Sequence, residues 1–348
     1  MSPSTVLEEA VRQGAFPGGQ LAVSLEGRRV ANFAFGSLTP NGPRSSPSAF
    51  YDLASLTKPL ATSVLIGREV GRERMCFAAP LSEYLPKVRI DAPLAQILDH
   101  SAGFPAHVRF DERLPPGTAP ASWSAFHHIV DDVSQTPPES PPGERALYSD
   151  LGFILLGAAL EKHGRAPLSH LFAQLNTPLF YRDRRGAPAP EPIPQNLPFA
   201  PTEGGLEGEV HDDNARAMGG AAGHAGLFGT ASGVIEVCES LLRAWHGAEG
   251  ELLRPEVARE MWKASPVPES TRTMGWDRPS PGGSSAGGSW PADGVGHLGF
   301  TGTSVWIDPE RAFVVALVTN RVCPTRDNDA IRRVRPALHD AARAAWIR

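Results

Sequence analysis

The chain has 348 residues and a formal net charge of −5 at pH 7, with no run of basic residues, which argues against a nucleic-acid partner. This length suffices for one large domain, or for two lobes, around a substantial apolar core. The three cysteines show neither Cys-x-x-Cys nor zinc-ligand spacing, so we expect reduced, buried thiols, no metal site and no cofactor.

The N-terminal segment MSPSTVLEEAVRQGAF is amphipathic and lacks the apolar core of a signal peptide. No apolar run reaches the roughly 18 residues that a membrane span needs. We therefore expect no membrane contact and a cytoplasmic location. The sequence leaves the oligomeric state open.

The first predicted elements are a helix over residues 5–13 and a β-hairpin over residues 20–34. The hairpin turns at Glu26-Gly27-Arg28. A loop over residues 45–53 follows, and then an apolar run over residues 59–70 that is long enough for a helix.

Ser55-Leu56-Thr57-Lys58 lies where this second helix begins. Residues three apart share a helix face, so Lys58 is expected beside the Ser55 hydroxyl. A serine hydroxyl is a weak nucleophile until a neighbouring base or cation activates it. Taken alone, the motif is equally compatible with a capping serine followed by a solvated lysine.

The middle of the chain, residues 80–204, alternates helical segments with the proline-rich loops 115–122, 136–143 and 186–194. Tyr148-Ser149-Asp150 directly precedes an apolar helix predicted over residues 151–164. In isolation, a tyrosine at this position is more often a packed aromatic side chain than a catalytic group.

In the last third, a mobile loop is expected over residues 279–294, directly before His297-Leu298-Gly299-Phe300. Two β-rich runs follow, over residues 304–308 and 312–319, and the chain ends in a helix over residues 327–346. Glycines at the entry to a strand allow a backbone N–H to approach a ligand closely, although an ordinary loop-to-strand junction has the same pattern.

These elements predict a mixed α/β (α+β) fold, in which strands from both ends of the chain form one antiparallel sheet flanked by the N- and C-terminal helices. A mostly helical lobe accompanies the sheet. We assign residues 1–79 and 205–348 to the sheet lobe and residues 80–204 to the helical lobe, within one unit overall.

The three motifs, in this order and spacing, resemble those of the serine β-lactamase and penicillin-binding-protein superfamily, and most closely its class C β-lactamase and carboxylesterase branch. Ser55-x-x-Lys58 matches the first family motif, Tyr148-Ser149-Asp150 the Tyr-x-Asn motif, and His297-Leu298-Gly299 the Lys-Thr-Gly motif. Segments 10–27, 95–105 and 222–234 also match family habits. The resemblance implies a β-lactamase/transpeptidase-like fold.

The resemblance also implies a mechanism. Ser55 attacks an acyl carbonyl and forms an acyl-enzyme, while Lys58 lowers the pKa of Tyr148 so that one of the two accepts the serine proton. The backbone N–H groups of Ser55 and Phe300 form the oxyanion hole. Asp150, His297 and Gly299 occupy the substrate-binding positions.

Two positions depart from the family pattern. Asp150 replaces an asparagine whose amide contacts the acyl-amide group of the substrate, and an ionised carboxylate can accept hydrogen bonds but not donate them. His297 replaces a lysine that attracts a substrate carboxylate, and a neutral imidazole attracts it much less. Both departures favour an esterase-like enzyme over a β-lactamase.

The sequence leaves several functions open. The preferred one is a serine hydrolase acting through an acyl-enzyme on small ester or amide substrates, and it is followed by a D-amino-acid peptidase, a β-lactamase or an acyltransferase of the same family. A catalytically inactive relative that binds an acyl ligand is the alternative of another class. The intact Ser55, Lys58 and Tyr148 set favours an enzyme.

Other candidate residues carry weaker signals. His211-Asp212-Asp213 and His224 suggest a metal site or a His–Asp dyad, but no HExxH motif or cysteine pair supports a metal. Ser101-Ala102-Gly103 lacks the leading glycine of a nucleophile elbow, which argues against an α/β-hydrolase.

Overall fold

The strands form two sheets in the computed structural model, which describes residues 1–186 and 198–347. The strands in this part of the chain are β1 (Gly18–Leu25), β2 (Arg28–Gly36), β3 (Tyr51–Asp52), β4 (Phe180–Tyr181), β5 (Leu227–Gly229), β6 (Val295–Leu298), β7 (Ser304–Asp308) and β8 (Phe313–Thr319). The main sheet is antiparallel, with the order β2-β1-β8-β7-β6. Leu21 of β1 lies opposite Leu317 of β8. The predicted sheet, built from both ends of the chain, is confirmed.

Helices cover the sheet and form the rest of the described chain. They are α1 (Pro3–Arg12), α2 (Ser63–Gly71), α3 (Leu94–Leu98), α4 (Trp123–Ser134), α5 (Asp150–Gly164), α6 (Leu168–Ala173), α7 (Asp213–Ala217), α8 (Ala231–Trp245), α9 (Pro255–Met261) and α10 (Ile331–Trp346). Short 3₁₀ turns lie at Ala54–Leu56, Leu81–Glu83, Asp111–Arg113 and Glu203–Gly205. The predicted terminal helices and the helix after Tyr148 are present, with ends that differ by a few residues.

Strand β8 is buried on both faces. Successive side chains of a strand point in opposite directions, so those of β8 pack into two different clusters. Phe313, Val315 and Leu317 pack into the smaller apolar cluster, with side chains from α1 and α10. Val314, Ala316 and Val318 face the larger cluster, which includes residues of α2, α5 and α8. The sheet therefore lies between the terminal helices and the rest of the helical core.

The segment after Ser55 differs in detail from the predicted continuous helix. Ser55 lies in the 3₁₀ turn Ala54–Leu56, a wider π-helical turn follows at Lys58–Thr62, and only then does α2 begin. Pro59 lies in the wide turn and has no N–H to donate, which disfavours regular α-helical bonding there.

The second sheet, with the order β3-β5-β4, was not predicted. Its strands have two or three residues each, too short for an alternating pattern to show in the sequence. It matters for the site because β3 ends at Asp52, directly before the turn that carries Ser55.

Several other expectations can be compared with the structure. Cys238 and Cys323 are buried as expected, but Cys76 is exposed, since it follows the end of α2 at the surface, and all three thiols are free. In the described ranges, no helix is both long and apolar enough to cross a membrane. Residues 279–294 contain no helix or strand, as expected for a loop. The loop predicted at 186–194 lies outside the described residues from 187 onward, and the division into two lobes stays a prediction.

Candidate active site

The turn that carries Ser55 is held by a buried carboxylate. Asp52 accepts hydrogen bonds from the N–H groups of Ala54 at 2.8 Å and His211 at 2.7 Å. Ala54 has a φ of +49°, a conformation that is uncommon for a residue with a side chain. Burial raises the pKa of Asp52 to about 6, although both N–H groups oppose this change. The two hydrogen bonds that Asp52 accepts thus hold the unusual backbone conformation directly before Ser55.

Lys58 lies beside Ser55, as the spacing predicts. Its Nζ donates to Ser55 Oγ at 3.1 Å, to Asp150 Oδ1 at 2.7 Å and to the His224 carbonyl oxygen at 3.2 Å. The side chain is 0% exposed. The alternative reading of Lys58 as a solvated surface lysine is therefore wrong.

Asp150 provides the negative charge that keeps Lys58 an ammonium. Burial lowers the pKa of Lys58, but Asp150 and then Tyr148 outweigh burial and raise it above its ordinary value. Burial alone would raise the pKa of Asp150, whereas Lys58 and a hydrogen bond from His107 hold it well below its usual range. Lys58 and Asp150 therefore form an ion pair at neutral pH.

The second oxygen of Asp150 faces His107, which lies on the loop after α3. His107 Nδ1 is 3.0 Å from Asp150 Oδ2, and the hydrogen bond to Asp150 raises the pKa of this exposed histidine. Both Asp150 oxygens are thus bound by side chains of the protein itself. Its predicted role as a substrate contact stays a prediction.

Tyr148 is positioned by the start of α5. Ser149 caps this helix, because its Oγ accepts from Leu151 N–H at 3.1 Å and donates to the Pro105 carbonyl at 2.6 Å. The Lys58 ammonium lies 4.9 Å from the centre of the Tyr148 ring, and the centre of the His100 ring lies 4.6 Å from it.

The pKa of Tyr148 differs from the prediction. Burial raises it above its ordinary value of about 10, while Lys58 and Ser55 lower it by a smaller amount and Asp150 raises it further. The predicted net lowering of the phenol pKa by Lys58 is therefore wrong. The physical reason is that burial of the phenol raises its pKa more than the charge of Lys58 lowers it, and Asp150 also opposes the effect of Lys58.

His297 lies at the end of the main sheet, on strand β6. It is 3% exposed, and its Nδ1 is 2.8 Å from the Leu298 carbonyl oxygen. Burial, followed by the positive charges of Lys58 and Arg272, holds the pKa of His297 well below 6.5. The expectation that this position lacks a permanent positive charge agrees with these surroundings.

The loop between β6 and β7 approaches the serine turn closely at Gly299. A Cβ at this position would lie 2.7 Å from the Leu53 carbonyl oxygen and 3.3 Å from Ala54 Cβ. Arg335 of α10 fixes the loop from the other side, with Nη2 donating to the Gly299 carbonyl at 2.6 Å and to the Thr303 carbonyl at 2.7 Å. Glycine is needed here because any side chain would push the two backbones apart.

Phe300 follows at the mouth of the site. Its side chain is 51% exposed, and its ring lies between the Arg321 guanidinium, 4.4 Å from the ring centre, and the His211 ring at 5.6 Å. Arg321 Nε also donates to the Phe300 carbonyl at 2.8 Å. Within residues 1–186 and 198–347, the Phe300 N–H donates no hydrogen bond to another backbone group. An oxyanion-hole donor must be unpaired in this way before the substrate binds.

A cavity of about 540 Å³ joins these groups, and Ser55, Tyr148, His297, Gly299 and Phe300 all line it. Its wall also contains side chains of both charges. The basic ones are Arg272, Arg321, Arg326, Arg332 and Arg335, and the acidic ones are Asp277, Asp327 and Asp329. The predicted nucleophile, its neighbouring Tyr148 and the third motif therefore share one space.

His224 and Asp212 lie behind this site and form a pair of their own. His224 Nε2 is 2.8 Å from Asp212 Oδ1, and the His224 carbonyl is one of the acceptors for Lys58. Within the ranges that the structure covers, no group of three or more metal-ligating side chains could hold an ion. The pair is thus connected to Lys58 through the His224 carbonyl.

Several residues of the site were not predicted from the sequence, namely His107, Arg272 and Arg335. His107 lies next to the predicted family segment 95–105, which could have drawn attention to it. Arg335 has no local signal, since an arginine inside an amphipathic helix usually faces solvent, whereas this one is buried.

Comparisons with known proteins show the family to which the chain belongs. The beta-lactamase family matches residues 4–339. An N-acetylmuramyl-L-alanine amidase of Bacillus subtilis (strain 168) is 27% identical over 91% of this chain and 79% of its own length. A putative D-alanyl-D-alanine carboxypeptidase of Salmonella paratyphi A is 26% identical over 80% of this chain and 71% of its own.

The fold is also that of a solved hydrolase. EstCE1, described as a hydrolase with promiscuous acyltransferase activity, superposes with a TM-score of 0.74 at 22% identity, covering 97% of each chain. At this identity the likeness concerns the fold alone, whereas the family match extends over nearly the whole chain. The chain therefore belongs to the beta-lactamase family, and it is a hydrolase of the serine type found in that family.

Proposed function

We propose that this chain hydrolyses small esters or amides through an acyl-enzyme formed on Ser55, and that it is esterase-like. The observation that carries the proposal is the contact of Lys58 Nζ with Ser55 Oγ at 3.1 Å, in a cavity that Tyr148 also lines. A protein that only binds an acyl ligand does not need this proton-transfer set.

In the proposed reaction, Ser55 Oγ attacks the acyl carbonyl and loses its proton to the pair of Lys58 and Tyr148. Lys58 is the positively charged member of that pair, and Asp150 keeps it protonated in the resting enzyme. Acylation requires the minority state in which the pair has lost one proton, and this state becomes more populated as the pH rises. The activity is therefore expected to increase from neutral toward alkaline pH.

The carbonyl oxygen becomes negatively charged in the tetrahedral intermediate, and the N–H groups of Ser55 and Phe300 are the proposed donors to it. Loss of one such donor costs about 3 kcal/mol in other acyl-transfer enzymes. The Phe300 peptide is held by Arg321 and the adjacent Gly299 carbonyl by Arg335, so the loop is positioned before a substrate arrives. Tyr148 is the proposed proton donor to the leaving group, and water then releases the acyl group.

The esterase-like preference rests on His297. A neutral imidazole does not attract a substrate carboxylate, so neutral short-chain esters should be turned over faster than β-lactams or D-alanyl-D-alanine peptides. The second candidate is a D-amino-acid amidase or peptidase. It is favoured by the arginines of the cavity wall, which could bind a carboxylate, and by the amidase and carboxypeptidase names of the relatives.

The mass of the intact protein tests the proposal. A fluorophosphonate should add one adduct to the wild type and none to Ser55→Ala, and labelling that persists in the variant or maps to Ser101 or Ser149 would refute the assignment. A panel of p-nitrophenyl esters, D-amino-acid amides and nitrocefin then separates the two candidates. Nitrocefin hydrolysis as efficient as that of the best ester would contradict the esterase-like preference.

A further inference from the structure

The hydrogen bond of His297 to the backbone determines which ring nitrogen carries its proton. Nδ1 is 2.8 Å from the Leu298 carbonyl oxygen, and a carbonyl oxygen only accepts hydrogen bonds. Nδ1 must therefore be the N–H nitrogen. In the neutral ring, Nε2 is then a bare acceptor without a proton.

The charges around His297 keep the ring neutral. Burial acts most strongly against protonation, and the positive charges of Lys58 and Arg272 act in the same direction, whereas the Leu298 carbonyl and Asp150 favour it more weakly. Nε2 thus stays a lone-pair acceptor across the neutral pH range. The lysine of the family motif offers donors and a charge at the same place, so the substitution reverses the hydrogen-bonding character of the position.

This acceptor is buried and has no partner among the described residues. Tyr148 does not donate to this nitrogen. The centres of the Tyr148 and His297 rings lie 5.8 Å apart, with 44° between the ring planes, and among the described residues His297 Nε2 has no hydrogen-bond partner. A buried acceptor left unpaired costs about 1–3 kcal/mol, so such atoms are usually satisfied by a ligand or by water when nothing in the protein reaches them. His297 also lines the cavity that contains Ser55.

The neighbours of Nε2 restrict what can satisfy it. A carboxylate offers only acceptors, so its oxygens cannot donate to this nitrogen. A substrate ammonium would be placed near Lys58 and Arg272, whose positive charges repel it. A neutral N–H, such as that of a secondary amide, meets neither objection.

We propose that His297 Nε2 accepts a hydrogen bond from a neutral amide N–H of the substrate, close to the scissile carbonyl. This inference rests on the proposed function and names its substrate class, which is acyl compounds with a secondary amide beside the reacting ester or amide, as in N-acylated amino-acid derivatives. His297 is then a specificity-determining residue that selects a hydrogen-bond donor where other family members select a negative charge.

Two esters that differ only at the amide nitrogen test the proposal. The p-nitrophenyl ester of N-acetylglycine carries the N–H, and the ester of N-acetylsarcosine carries a methyl group in its place. In the wild type, kcat/KM should favour the N–H ester by about tenfold or more, because the N-methyl ester leaves Nε2 unpaired. A wild-type ratio near one would overturn the proposal.

Variants at position 297 separate this effect from any difference in the reactivity of the two esters. His297→Phe keeps a planar ring but removes the acceptor, so the preference for the N–H ester should fall to about one. His297→Gln retains an acceptor oxygen and should recover part of the preference. Fluorophosphonate labelling of Ser55 gives the fraction of correctly folded protein in each preparation. A preference that is unchanged in His297→Phe would show that another group recognises the N–H.

The result also distinguishes failure of this inference from failure of the proposed function. If both esters acylate Ser55 at the same rate, the hydrolase stands and the role of His297 is refuted. If neither ester acylates Ser55 while the fluorophosphonate does, the substrate class is wrong. If no reagent labels Ser55, the proposed function itself is wrong.

Discussion

The ion pair between Lys58 and Asp150 should control the pH dependence of the reaction, and Asp150→Asn tests this directly. The substitution keeps the size of the side chain and restores the residue type of the family motif, but it removes the negative charge 2.7 Å from Lys58 Nζ. Ser55 Oγ and the His224 carbonyl remain as neutral acceptors for Lys58. The ammonium then has no counter-charge in direct contact.

The expected size of the effect follows from the burial of the pair. Lys58 is 0% exposed and Asp150 is 16% exposed, so water screens the interaction weakly. Removing one partner of a buried ion pair costs about 3–5 kcal/mol. At about 1.4 kcal/mol for each pKa unit, the pKa of Lys58 should fall by at least two units. The neutral amine, which can accept the Ser55 proton, then becomes available at lower pH.

The assay is kcat/KM for one p-nitrophenyl ester as a function of pH. The rise of activity toward alkaline pH should move to lower pH by about two units in Asp150→Asn, so the variant should be relatively more active than the wild type at acidic pH. Direct titration of Lys58 by NMR should show the same displacement. The thermal stability of the variant should fall at neutral pH.

Asp183→Asn is the matched control. Asp183 forms a buried ion pair with Arg185 at 2.6 Å, and Arg185 also pairs with Glu161 at 2.7 Å. This variant should lose stability without any displacement of the pH profile. If Asp150→Asn leaves the profile in place, or displaces it toward higher pH, then Asp150 does not determine the protonation of Lys58 and our reasoning about the base is refuted.

The remaining predictions concern the other parts of the site and the core. Lys58→Ala and Tyr148→Phe should each lower kcat by at least about a hundredfold. The double variant should be little worse than either single variant, because the effects of groups that act as a unit are not additive. If the two effects multiply in steady-state kinetics, one of the two residues is only structural. Gly299→Ala should reduce kcat/KM strongly, because its Cβ would lie 2.7 Å from a backbone oxygen of the serine turn; wild-type kinetics would contradict the close approach. The free energy of unfolding should decrease as the pH falls below about 6.5, by about 1.4 kcal/mol per pH unit for each buried histidine that stays neutral in the native state while it becomes protonated in the unfolded chain. Denaturant titrations at several pH values measure this loss. A free energy of unfolding that stays constant down to about pH 4, where the carboxylates titrate, would contradict the prediction. The histidines concerned are His100, His211, His297 and His339.

The positions of Ser55, Lys58 and Tyr148 could be predicted because local spacing and motif order carry the information. Ser55 and Lys58 are three residues apart and meet through a single turn, and Tyr148 directly precedes a long apolar helix. The sheet could be predicted for a similar reason, since the strands at both ends have clear alternating or β-rich patterns.

The electrostatic state of the site could not be predicted in the same way. It depends on the contacts of Asp150 with Lys58 and His107, which come from three separate segments. The motif predicts a substrate contact for this aspartate, and it gives no indication of the ion pair with Lys58 that the structure shows. The role of Arg335 in holding the Gly299 carbonyl likewise depends on how α10 packs against the face of the sheet.

The pairing of β1 with β8 also has a consequence for how the chain folds. Leu21 and Leu317 meet across almost the whole length of the sequence, and contacts of such high contact order form slowly because the entropy of closing a long loop is lost first. The third motif lies at the end of β6 in this sheet, so a chain in which the sheet has not formed lacks a complete acylating centre. The molar amount of covalent adduct formed during refolding should therefore equal the amount of fully native protein. The time course of labelling would then report the rate of the last step of folding.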